Sequence, residues 1–131
     1  MTTPFKLDAT ALVGAADLLT AQCYGAAFAA GWHTDLVTGE RKQRNFPTSL
    51  MLIVTELAEA MEGYRKDLMD DHLPHRKMVE VELADAVIRI FDTAGSHGFD
   101  LGAAIADKMR YNQTRADHKP EARLAAGGKK V

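Results

Sequence analysis

Cysteine is almost missing from this chain: Cys23 is the single one in 131 residues. No internal disulfide can form, and no Cys-rich zinc site can be built. Neither sign of charge is in excess. Sixteen lysines and arginines face eighteen aspartates and glutamates, a formal net charge of −2, so the strongly basic footprint of a nucleic-acid binder is lacking. A small phosphorylated ligand, which needs only a local cluster of cations, stays open. No run approaches the roughly 18 apolar residues of a membrane span. Asp8 and Asp17 interrupt the stretch where a signal peptide needs an unbroken apolar core. A cytoplasmic protein is expected, with neither nucleic acid nor membrane as partner. There is no glycine-rich phosphate loop of the Walker type. No glutamate is followed by histidine three residues later, so the Glu-x-x-His signature of di-iron bundles is absent as well.

What is present reads as helix. Hydrophobic residues make up 47% and charged residues 26%, the balance of a soluble globule with a core. β-Branched runs and alternating patterns are weak, and proline and glycine fall where helices start and stop. Asp8 caps a first helix through about Ala30, ended near Gly31. Residues 31–46 show no clear period and read as a loop. Pro47 opens a second helix to about Met69. Residues 70–74 break the pattern, and Pro74 opens a third helix to about Ser96, stopped at Gly98. Asp100 caps a fourth over residues 101–116. Residues 117–131 lose periodicity and are expected to be a flexible basic tail. The expectation is a single all-α domain over residues 1–116, four-helix-bundle-like and completed by oligomerisation.

The second helix carries an apolar seam at Leu50, Val54, Leu57, Met61, Tyr64 and Leu68. A second line, Leu52, Glu56, Glu59 and Gly63, lies about 150° away. The third helix has one polar line, Met78, Glu82, Asp85, Arg89, Asp92 and Ser96, against an apolar arc of about 200°. So wide an arc predicts a largely buried helix. Its charged line is then either the one solvent-facing strip or an interior polar site. The fourth helix aligns Leu101, Ile105, Lys108, Asn112 and Arg115.

Glu56 and Glu59, and Glu82 and Asp85, are two acidic pairs at a spacing of three on successive helices. Antiparallel neighbours bring the pairs face to face, where four carboxylates repel and burial raises the cost. A hard divalent cation relieves that repulsion, and oxygen-only ligation favours Mg²⁺, with Mn²⁺ able to substitute. Lys108 and Arg115 can then hold phosphate oxygens beyond the metal. Elsewhere the signals are weaker. His72 and His75 flank Pro74 in a loop and read as surface residues. Cys23 reads as a core residue of the first helix. Trp32, beside His33, is either a core lid or a flat surface for a nucleobase, with Arg44 and Asn45 close in sequence.

The segments Glu56-Leu-Ala-Glu59, Glu82-Leu-Ala-Asp85 and Lys108-Met-Arg-Tyr-Asn112-Gln-Thr-Arg115 together resemble the MazG-like all-α nucleoside triphosphate pyrophosphohydrolases, over about residues 32–116. The resemblance implies that Glu56, Glu59, Glu82 and Asp85 are Mg²⁺ ligands and that Lys108, Asn112 and Arg115 contact the triphosphate. It also implies a homodimer or homotetramer. The reaction expected is (d)NTP plus water giving (d)NMP and pyrophosphate, in the service of nucleotide-pool house-cleaning. Glu56 or Glu59 is the expected proton acceptor, and Trp32, His33, Arg44 and Asn45 join the substrate-binding set. Thr55 stands where many relatives carry an additional glutamate. The general base therefore stays open, as do a specialised dUTP or phosphoribosyl-ATP hydrolase and a non-catalytic helical dimer that binds a nucleotide or a partner.

Overall fold

The computed structural model describes residues 4–131. It is all-helical: α1 (Ala9–Ala29), α2 (Phe46–Arg65), α3 (Met78–His97), α4 (Leu101–Thr114), a 3-10 turn (Ala116–His118) and α5 (Pro120–Leu124). Among the described residues there is no strand, only isolated bridges between Thr34 and Arg41 and between Met69 and Lys77. The chain forms two compact units. One is the chain up to Asp17 with Asp100–Val131; the other is Leu18–Phe99.

The second unit is built around α2 packed on α3. The two run antiparallel: Gly63 meets Met78, Glu59 meets Glu82, and Glu56 meets Arg89. Asn45 caps α2, its Oδ1 accepting from the Thr48 N–H, and Pro47 sits in the first turn as expected. The helix stops at Arg65, four residues short of the expected Met69. Asp67 takes the left-handed conformation (φ 51°), and the Leu68 N–H donates to the Gly63 carbonyl, closing a C-terminal motif usually made with glycine. Pro74 does not open α3. Asp70, buried, accepts from the His72 and Leu73 N–H groups and ties residues 70–76 into a turn, so α3 begins only at Met78. Gly98 (φ 69°) ends α3 where expected.

On unit two, α1 meets α3 at Gly95, where a Cβ would stand 2.5 Å from Tyr24 Cβ. Only a glycine permits that approach. In the other unit, Asp100 caps α4 through the Ala103 N–H, and Gly102 lies against Ala16. α4 ends at Thr114 rather than residue 116. The expected tail instead carries the 3-10 turn and α5, so the described residues form five α-helices where four were expected.

Two expectations about burial fail. The α2 seam is not covered: Val54 is 50% exposed, Met61 60% and Tyr64 73%. On α3, Leu83, Val87, Ile88 and Ile90 are exposed too, although the wide arc predicted burial. The buried apolar residues are small, mostly alanines, with Phe91 the one large side chain among them. The faces are apolar where the periodicity put them, but these side chains stand exposed among the described residues. α1 differs in another way. Its best 18-residue window has a mean hydropathy of 1.2, so by length and composition alone it is apolar enough to cross a membrane. Alanine-rich sequence reaches that value without a run of large apolar side chains, which is why the stretch did not read as a span.

Candidate metal centre

The line Leu52, Glu56, Glu59, Gly63 of α2 faces the polar line of α3, because Gly63 lets the two backbones close. A Cβ there would lie 2.8 Å from Met78 Cγ and 2.9 Å from Met78 Cβ. One carboxylate oxygen from each of Glu56, Glu59 and Glu82 lies within 4.8 Å of the other two. Glu56 and Glu82 are buried and Glu59 is exposed. Asp85, expected as a fourth ligand, is half-buried one turn along α3 and stands outside this group of three.

The electrostatics bear the mark of crowding. Burial, then a hydrogen bond shared with Glu56, then the charges of Glu59, Glu56 and Asp85 push Glu82 up to about 7. Asp85 is raised as well, first by burial and next by the charge of Glu56, with Arg89 pulling the other way. Arg89 Nε donates to Glu56 Oε1 at 2.5 Å. These oxygen donors, one of them holding its proton more tightly than a free carboxyl does, form a set that a hard divalent cation fits.

An open cleft of about 610 Å³ adjoins the carboxylates. Glu56, Asp85, Arg89 and Asp92 line it on one side and the C-terminal part of α1 on another, with Trp32 and Arg44 at its loop edge. Trp32 is 64% exposed, which excludes the core-lid alternative. The Arg44 guanidinium carbon sits 5.5 Å from the Trp32 ring centroid, and Nη1 lies 3.7 Å from Asp92 Oδ2. Trp32 and Arg44, close in sequence, are therefore also in contact at the cleft.

His33 and Asn45 stand differently. His33 is buried, at 2% exposure, with Nε2 2.6 Å from Asp92 Oδ1 and its ring against Tyr24. It braces Asp92 and does not line the cleft. Asn45 uses its side-chain oxygen on Thr48. Asp92 is the residue that sequence reasoning undervalued. Its place on the polar line was visible, but its partners His33 and Arg44 come from a loop far away in sequence. Cys23 is a cleft-wall residue rather than a core one. Burial, then the charge of Asp92, pushes its thiol up, away from the thiolate form.

Lys108 and Asn112 lie on α4 in the other unit, and Arg115 follows directly after its last residue. Lys108 Nζ is 4.9 Å from the Tyr111 ring centroid, Arg115 holds Asp117 through two hydrogen bonds, and Asn112 Oδ1 is buried without a hydrogen-bond donor. Comparison of the chain with protein-family profiles, curated proteins and solved structures found no match.

Proposed function

We propose that this chain is a Mg²⁺-dependent nucleoside triphosphate pyrophosphohydrolase, in which water attacks the α-phosphorus and pyrophosphate leaves. The observation that carries this reading is the triad Glu56, Glu59 and Glu82 at the edge of a cleft lined by an exposed tryptophan and two arginines. Glu56, Glu59 and Glu82 would hold the cation, with Asp85 beside them. Bound there, it would neutralise phosphate charge and make a water more acidic. Trp32 offers a flat face for the nucleobase, steadied by Arg44. Glu59, the exposed member of the triad, or Glu56 would take the proton of the attacking water. Thr55 offers no base, since its hydroxyl donates to the Leu52 carbonyl at 2.7 Å.

Glu82→Gln tests the reading. A ligand carboxylate should matter at least as much as an outer partner of a metal site, whose loss costs up to about 100-fold. Pyrophosphate release from a panel of normal and modified nucleoside triphosphates with Mg²⁺ or Mn²⁺ is expected to fall by about 100-fold or more, with the helical circular-dichroism spectrum kept. Full activity in the variant would overturn the assignment. The exposed apolar faces of α2 and α3 support a homo-oligomer, and the balanced charge supports a cytoplasmic setting without nucleic acid. Binding of nucleotide without turnover in Mg²⁺ is the second reading, favoured by Thr55.

A further inference from the structure

The carboxylate triad already has a cationic partner. Arg89 rises from α3 one turn after Asp85, and its Nε reaches Glu56 Oε1 at 2.5 Å. Glu56 is nearly covered there, with 10% of its side chain exposed against 36% for Arg89. Among the described residues, Nη1 and Nη2 of Arg89 make no hydrogen bond. The guanidinium is thus held at one nitrogen while its terminal fork is left over, beside a cleft that Arg89 itself lines.

Two facts set this arginine apart from the other cations. Arg44, which lines the same cleft, is already held by Asp92 and the Trp32 ring. Arg115, just past the end of α4, has both its Nε and Nη2 on Asp117. Among the described residues Arg89 alone combines a charged partner inside the triad with an unused bidentate fork, and such a fork matches two oxygens of a phosphate. Its present partner is also one that a divalent cation would claim. A cation of charge +2 at the triad makes the single positive charge on Glu56 redundant, and the two compete for the same carboxylate.

We propose that Arg89 is a substrate-phosphate ligand that Glu56 holds in reserve. Without metal it neutralises part of the acidic cluster. When a divalent cation takes Glu56, the guanidinium turns to the polyphosphate in the cleft. The inference rests on the pyrophosphohydrolase reading and adds a residue and an exchange of partners to it.

The test uses the full chain, wild type and Arg89→Gln, with Mn²⁺ alone and then Mn²⁺ with inorganic tripolyphosphate, both followed by calorimetry. Tripolyphosphate carries no base, so the probe does not depend on knowing the nucleotide. The two affinities should move in opposite directions. Mn²⁺ binds the variant about threefold tighter or more, because a competing cation is gone. Tripolyphosphate binds it roughly tenfold weaker or more, the scale of a lost charge-assisted hydrogen bond. Arg89→Lys keeps the charge without the fork, so Mn²⁺ affinity stays near wild type while tripolyphosphate binding still weakens; this pair decides the matter should the glutamine variant not fold. A purely structural arginine would leave both affinities unchanged or lower both, and either result overturns the proposal. Wild-type protein that binds tripolyphosphate through Arg89 but no Mn²⁺ would overturn the metal reading and the exchange while keeping Arg89 as a phosphate ligand. Wild type that binds Mn²⁺, with tripolyphosphate affinity untouched by either substitution, overturns the inference and leaves the metal reading standing.

Discussion

Burial and three neighbouring carboxyls hold the Glu82 acid at about 7 instead of 4.5. The folded protein therefore keeps this proton more tightly than the unfolded chain does. The stability it contributes is complete below about 4.5 and is lost as pH rises from there through about 7. Metal-free protein is expected to lose melting temperature between about pH 5 and pH 8, and Glu82→Gln to flatten that slope, as thermal unfolding at a series of pH values would read. A slope unchanged by the substitution would place the titrating group elsewhere. Glu56, Glu59 and Glu82 were legible in the sequence because a spacing of three puts two carboxylates on one helix face, and two such faces invite pairing. The brace of His33 on Asp92 was not legible. Those residues are 59 positions apart, and only the turn of the loop into the wall of α3 joins them.

At the scale of the element, the close approach of α2 and α3 depends on one position. Gly63→Ala sets two effects against each other. Alanine favours a helix interior over glycine by up to about 1 kcal/mol. Its methyl group would also press into Met78 at under 3 Å, and overpacking costs about 1–3 kcal/mol. The clash is expected to win, lowering stability by about 1 kcal/mol in urea unfolding and weakening Mn²⁺ binding as the two carboxylate faces part. An increase in stability would mean that Met78 swings aside freely. The helices themselves were readable from their 3.6-residue period, and the first-turn Pro47, the cap at Asp100 and the stop at Gly98 followed from residue type. The end of α2 was not readable, because Asp67 takes a conformation for which glycine is the usual signal. Nor was the start of α3. Pro74 suits a first turn by type, yet the buried Asp70 holds the N–H groups of His72 and Leu73 and makes a different turn of that stretch.

At the scale of the whole molecule, the apolar seam of α2 is an exposed line of large side chains. Leu50, Val54, Leu57 and Met61 are each at least two-fifths open to solvent, a line of contacts that usually marks an interface. If copies associate through it, melting temperature rises with protein concentration by mass action. Leu57→Lys would abolish that dependence and yield a monomer in sedimentation velocity. A wild-type monomer with concentration-independent melting would refute the interface. Sequence periodicity drew this face correctly but could not say whether the chain or a second copy covers it. The contact of Gly95 with Tyr24 has a consequence of a different kind. Tyr24 stands next to Cys23, and Cys23, Ala26 and Ala27 of α1, with Ala30 just beyond it, form one wall of the cleft. The breadth of the cleft is thus fixed from behind, by a glycine that never touches what the cleft contains. A lineage that came to need room for a bulkier ligand would have a route that preserves every lining side chain: a single methyl group at position 95, acting as a shim between two helices.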